Sequence, residues 1–248
     1  MLKVKEVEKS YKKGGFLSKE RQQIIRNVSF ECGRGECLGI IGESGSGKST
    51  LGRLLLGIEK PDHGNVLLEG KSILRRTERL GRISAVFQDY TSSINPFFTV
   101  EEAIMEPLTA QKQSQQEQRS KVDLLLDQVG LNPSYKGKYA HELSGGEAQR
   151  VCIARAISTA PKCMVLDEAI SSLDVSVQVQ VLGTLKELKE LYKMSYIFIT
   201  HDIQAAAYIC DRIIIFRDGQ IEETVPVQQL KHVRSDYAKK LLDSLITL

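Results

Sequence analysis

The nine residues "GESGSGKST" at positions 42–50 constrain this chain more than any other stretch. They follow a short apolar run, "ECLGII" (36–41). The spacing after them predicts a helix from near Lys48 to near Gly57, with Leu51, Leu54, Leu55 and Ile58 on its buried side. Gly42, Gly47, Lys48 and Ser49 match the pattern G-x-x-x-x-G-K-[ST]. Glycines let backbone amides turn inward, and a helix N-terminus adds partial positive charge, so such a loop wraps phosphate oxygens. Lys48 is expected to reach the outer phosphates as a point charge, and Ser49 to offer its hydroxyl to Mg2+, a hard ion that prefers oxygen. The plain alternative is a glycine-rich turn that merely starts a helix. The strand, the Lys-Ser pair and the helix occurring together weigh against it.

Strand texture surrounds this loop. Residues 2–8 and 24–32 read as strands joined by a Lys/Gly-rich loop, "NVLLEG" as another, and "ISAVFQ" (83–88) as a buried strand ending at Gln88. From about 90 to 160 the spacing is helical in "TVEEAIMEPL", "EQRSKVDLLLDQVG" and "GGEAQRVCIARAIS", with "QKQSQQEQRS" as an exposed polar surface. Strands return with "CMVLDE" (163–168), "SYIFIT" (195–200) and "RIIIFRDG" (212–219), separated by helices. One of these helices carries apolar positions at 181, 182, 185, 188 and 191. Alternating strands and helices predict an α/β fold of the P-loop NTPase type: a mainly parallel covered sheet, an N-terminal antiparallel β region and a helical insert. The expected layout of residues 1–248 is one domain. Residues 1–89 and 160–225 form its nucleotide-binding core, 90–159 the helical subdomain and 226–248 a short C-terminal tail.

A net charge of +3 is too weak to argue for nucleic acid. No apolar run approaches the roughly 18–20 residues that span a bilayer. The start alternates Leu2, Val4 and Val7 with charges, as a strand does and a signal peptide does not, so the chain is expected in the cytoplasm. Cysteines 32, 37, 152, 163 and 210 form no C-x-x-C pair and read as small buried hydrophobes.

Two further stretches carry chemistry. Asp167 and Glu168 end the run "CMVLDE". A carboxylate pair there suits Mg2+ held by Asp167 through water, with Glu168 orienting and deprotonating an attacking water, a role worth roughly 10²–10⁴ in rate. A solvated strand end is the bland alternative. In "HELSGGE" (141–147), Ser144 and Glu147 form a capping box at a helix start. The box leaves Gly145 and Gly146 unexplained, and paired glycines let a phosphate approach the backbone closely.

"LSGGE" followed by "QRVCIARAI" resembles the signature of ABC-transporter ATPases. The loop 42–50, Gln88, "CMVLDE", "SSLD" (171–174) and His201 complete that family's pattern in order. The resemblance implies a head-to-tail dimer in which each signature completes the partner's ATP site. Gly42, Glu43, Ser44, Gly45, Ser46, Gly47, Lys48, Ser49 and Thr50 would then bind ATP. Ser144, Gly145, Gly146 and Asp174 would act in trans. It implies Tyr11 stacked on adenine, Gln88 touching Mg2+ and sensing the membrane partner, and His201 contacting the γ-phosphate. Tyr11 otherwise reads as a strand-end tyrosine, and Asp174 as a helix N-cap. Glu147 stands where glutamine is usual, and Ala169 where many relatives have proline. The first departure is expected to bring a carboxylate near phosphate.

"VFQDYTSSINP" (86–96), "SSLDVSVQVQVL" and "SDYAKKLL" (235–242) resemble the oligopeptide/dipeptide/nickel import branch, the last matching a tail motif usually written His-Pro-Tyr. Peptide-serving chains often carry a cysteine-bearing C-terminal extension, which residues up to Leu248 lack, so nickel or a nickel chelate is the expected cargo, with peptide next. The branch implies a second ATPase subunit, two permeases and an extracytoplasmic binding protein, with this chain at the cytoplasmic face of the membrane. Phe97 and Phe98 are candidates for the permease contact or, alternatively, for ordinary core. Rival readings are a non-transport ABC ATPase, which usually carries long coiled-coil inserts or paired cassettes, and an export or lipid-extraction subunit.

Overall fold

The computed structural model describes residues 1–13, 20–109 and 115–246. Residues 14–19 of the expected Lys/Gly-rich loop fall outside them, as do the first four residues of "QKQSQQEQRS" and the last two of the tail. In chain order the elements are β1 (Leu2–Lys12), β2 (Arg21–Cys32), β3 (Cys37–Ile41), α1 (Lys48–Leu55), β4 (His63–Leu68), β5 (Lys71–Ser72), α2 (Arg76–Arg79) and β6 (Ile83–Phe87). There follow α3 (Tyr90–Ser93), α4 (Val100–Thr109), α5 (Gln115–Gln128), α6 (Gly145–Ile157), β7 (Cys163–Asp167) and α7 (Val175–Tyr192). The last are β8 (Ser195–Thr200), α8 (Ile203–Ile209), β9 (Arg212–Arg217), β10 (Gln220–Pro226) and α9 (Asp236–Ile246). They form two compact units, Met1–Leu80 with Ser195–Leu248, and Gly81–Met194.

The first unit holds an antiparallel sheet of order β2-β1-β4-β5. Leu2, Val4 and Val7 of β1 are all buried, although Val4 and Val7 are an odd number apart. A register shift between them, with Glu6 at φ +48, resets the pleat so that both face inward. The unit's other strands run β10-β9-β3-β8. Here β3 is parallel to both neighbours, and β10 returns antiparallel beside β9. The returning turn is Asp218-Gly219, with φ +49 and +78, the backbone of a type I′ hairpin. β3 and β8 are buried along their whole length, with α1 and α8 packed on β8 and α8 also on β3.

Leu51, Leu54 and Leu55 of α1 are buried as expected, but Ile58 is 60% exposed. The helix stops before it. Gly57 takes φ +63, its N–H bonds to Leu54 O, and the Ile58 N–H bonds to Arg53 O. This Schellman arrangement turns the chain away and carries Ile58 outward.

In the second unit β6 and β7 form a parallel pair, and α4, α5 and α6 pack on one another, with α6 also against β6 and α7. β6 is less buried than expected: only Val86 is fully covered, as befits a strand with a single partner. Gln118, within the polar stretch, is buried and not surface. In α7, residues 181, 182, 185 and 188 are buried as expected, but Leu191 is 61% exposed. At 100° per residue the stripe continues to buried Lys189 and half-buried Tyr192, whose hydroxyl meets Gln128 at 2.6 Å, and turns Leu191 away. All five cysteines are buried and unbridged, and burial pushes the Cys152 and Cys163 thiols up to about 12, so they behave as small hydrophobes.

Candidate functional site

The loop 42–50 belongs to the first unit and leaves the C-terminal end of β3. Gly42 is pressed against β9: a β-carbon on it would lie 2.1 Å from Phe216 O. Gly45 and Gly47 have φ +81 and +104, conformations that side chains resist. The loop is braced by Gly219 N–H donating to Ser46 O at 2.9 Å. Lys48 is 7% exposed, and its ammonium donates to Gly42 O at 2.7 Å and Glu43 O at 2.8 Å. α1 begins at Gly47 with no side-chain cap and no acidic residue in its first turn. No carboxylate of its own thus offsets the positive end of its dipole, which favours an anion. The buried Ser46 Oγ has no hydrogen-bond partner among the described residues. A buried cation, a helix start without a side-chain cap and an orphaned hydroxyl in one glycine loop fit a nucleotide's phosphates.

Ile41 and Thr200 are register partners in β3 and β8, so Gly42 and His201 leave adjacent parallel strands at the same end. His201 is exposed and lies directly before the α8 cap, where Asp202 accepts from Ala205 N at 3.0 Å. Tyr11, near the end of β1, is half-buried. Its hydroxyl donates to Glu59, which also takes the Arg53 guanidinium at 2.6 Å, and Lys9 Nζ stands 5.5 Å from its ring centre. The ring is thus fixed by its edge. Arg53 also anchors Thr50, at 3.2 Å.

The second unit brings another set together. Phe87 and Asp167 are register partners, so exposed Gln88 and half-buried Glu168 leave β6 and β7 side by side. Asp167 is 9% exposed. Glu168 has φ +51, a left-handed backbone costing a non-glycine residue about 1–2 kcal/mol. Its carbonyl accepts from Ser171 N at 3.2 Å and Ser171 Oγ at 3.0 Å. The segment beyond is pinned by two glutamines that sequence reasoning missed. Gln149 Nε2 donates to Ala169 O at 2.5 Å, and Gln178 Nε2 donates to Ile170 O at 3.1 Å and Leu173 O at 3.0 Å. Asp174 occupies the N-cap position of α7, yet its side chain makes no cap bond.

Ser144 caps α6, and the capping box is complete. Glu147 accepts from Ser144 N at 2.7 Å and Ser144 Oγ at 2.8 Å, and takes a short bond from the Tyr135 hydroxyl. Lys138 Nζ sits 3.8 Å from the Tyr135 ring centre. These donors, Tyr135 foremost and then Ser144, hold the Glu147 carboxyl at about 2. The carboxylate is folded back onto its own helix start. The glycines have a reason that the sequence reading lacked. A β-carbon on Gly145 would lie 2.8 Å from the Tyr90 hydroxyl, and one on Gly146 would lie 2.6 Å from Val177 Cγ1. They admit close packing of α3 and α7 against α6. Phe97 is 85% exposed and so is no core residue, while Phe98 is half-buried.

Among the described residues no helix is long and apolar enough to cross a membrane, and no cluster of three His, Cys, Asp or Glu side chains could hold a metal. Mg2+ suits such a chain, because that ion is held chiefly by nucleotide phosphates and water, with one or two protein oxygens.

Residues 25–171 match the family model described as ABC transporter. The chain is 49% identical over 248 residues to the metal-staphylopine import system ATP-binding protein CntF of Staphylococcus aureus (strain NCTC 8325 / PS 47), covering 100% of both chains. It is 38% identical over 255 residues to the nickel import ATP-binding protein NikE of Escherichia coli O157:H7, covering 99% of this chain and 94% of that one. Among solved structures it resembles the dimeric post-hydrolysis state of the ATP-binding cassette MJ0796 bound to ADP and Pi, at 30% identity and TM-score 0.82, over 92% of this chain and 99% of that one. With more than half of its length matched by the family model and relatives aligned from end to end, this chain belongs to the ABC transporter family.

Proposed function

We propose that this chain is the ATP-hydrolysing subunit of an importer that takes up nickel or a nickel chelate. The observation that carries the ATPase reading is the uncapped glycine loop around buried Lys48, in a chain aligned throughout with import ATPases. The cargo reading rests on the named substrates of CntF and NikE.

In this reading loop residues 42–50 bind the phosphates, with Lys48 exchanging its carbonyl partners for phosphate oxygens, and Tyr11 stacks on adenine. Ser49, Gln88 and Asp167 would hold Mg2+, which when bound neutralises phosphate charge. Glu168 orients a water and takes its proton, and His201 steadies the outer phosphate. Residues 90–159 act as the subdomain that presents the signature. Ser144, Gly145, Gly146 and Asp174 complete the site of a second ATPase subunit, and hydrolysis loosens the pair. Ser144 must first release Glu147 to donate to a phosphate. Two integral membrane permeases and an extracytoplasmic binding protein complete the assembly at the cytoplasmic face of the membrane. Exposed Phe97 is the proposed permease contact. Nucleic acid has no part in it.

Glu168→Gln is expected to bind ATP, stall hydrolysis and trap the dimer. Rapid turnover by that variant removes Glu168 from the base role. Ser144→Arg should spare this subunit's own ATP binding and abolish turnover in the partner's site. Cells lacking this chain should lose uptake of radioactive nickel and keep uptake of labelled peptide. The reverse result moves the cargo to peptides, and failure to co-purify with permeases defeats the transport reading.

A further inference from the structure

The tail stretch "SDYAKKLL" has no part in the reading above, yet the structure connects it to the phosphate loop. Tyr237 is the second residue of α9. Its hydroxyl accepts the Glu43 N–H at 3.4 Å, and the Arg217 guanidinium at the end of β9 lies 4.7 Å from its ring centre. The tail is itself fastened to β10: the Glu223 carboxylate accepts from Arg234 N at 3.0 Å and Ser235 N at 3.1 Å, and Ser235 Oγ caps α9 by accepting from Ala238 N at 3.0 Å.

The Glu43 N–H and the Gly42 C=O belong to one peptide unit, which is planar and trans, so they point in opposite directions. Tyr237 holds the N–H edge of that unit while Lys48 Nζ holds its C=O edge at 2.7 Å. Turning the peptide plane would move the carbonyl that anchors the ammonium. We propose that Tyr237 is a positioning residue for nucleotide binding: it fixes the Gly42–Glu43 peptide and thereby keeps Lys48 set in the loop. Through it the C-terminal helix governs affinity for nucleoside triphosphate. This rests on the reading of residues 42–50 as the nucleotide loop.

Tyr237→Phe removes the acceptor and keeps the ring against Arg217. A neutral hydrogen bond of ordinary worth predicts an ATP dissociation constant about two- to tenfold higher, with binding still at one nucleotide per chain. Both are read by calorimetric titration of the full chain with Mg-ATP. Amide hydrogen exchange at Glu43 should quicken in the same variant. An unchanged constant with the parent binding normally overturns the inference and spares the nucleotide site. A lower stoichiometry at unchanged affinity also overturns it, since that marks a fold defect. A parent chain that binds no nucleotide removes both.

Discussion

Two helices of this chain start from glycine-rich turns, α1 after Gly47 and α6 after Ser144. In the first, the glycines serve the backbone: Gly45 and Gly47 adopt φ +81 and +104, and the helix end carries no side-chain cap. In the second they serve packing: Gly145 lies under Tyr90 and Gly146 under Val177, while the helix end is already closed by Ser144 and Glu147. Similar composition therefore conceals different electrostatics. One terminus offers amides and a buried cation to an incoming anion, whereas the other has an ionised carboxylate of its own at the same place. An anion meeting the second turn must compete with Glu147, a cost that the proposed trans site would have to meet.

The largest effect should come from the open terminus. Lys48→Ala is expected to lower ATP affinity about a hundredfold, as loss of a charged phosphate contact worth roughly 1.5–3 kcal/mol would do. Near-parental titration curves would break the contrast at its root. Next in size is Gly146→Ala, whose added methyl meets Val177 and should destabilise by about 1–3 kcal/mol. Denaturant unfolding should show partial recovery on adding Val177→Ala. Gly45→Ala should cost about 1 kcal/mol with no such partner to relieve it, because open space surrounds that position and only its φ resists.

The smallest effect concerns the closed terminus. Glu147 sits at about 2 when folded, below the ordinary carboxylate value near 4.5. Its contribution to stability is full above that ordinary value and is lost as pH falls through about 2. Glu147→Gln should flatten this acid-side portion of the stability curve, and Tyr135→Phe should shrink it. A variant whose unfolding still tracks pH like the parent between about 4.5 and 2 would assign that slope to other groups.

What was legible in the sequence was local. The pattern of the phosphate loop, its flanking strand and helix, and the Ser144–Glu147 box each lie within a few residues. The pairing of Asp167 with Phe87 could be expected only as two strand ends, since register is a tertiary fact. Ile58 and Leu191 were misplaced because spacing alone was carried past a glycine stop in one case and past the drift of a 3.6-residue helix in the other. Gly57 could have warned of the first. Asp218-Gly219 was an overlooked hairpin signal for β10. Nothing local marks Tyr135 as the partner of Glu147, nor Tyr90 and Val177 as the reason for two glycines. Tyr237 and Glu43 lie 194 positions apart, and only the folded hairpin between β9 and β10 brings that tail to the loop.

Lys48 grips the carbonyls of its own loop. A cation held by backbone oxygens in this way ties its own loop together, so the curvature of the loop and the position of the ammonium are one property of the chain. Whatever loosens that curve also displaces the charge, so the proposed phosphate contact depends on the loop's backbone as much as on the side chain.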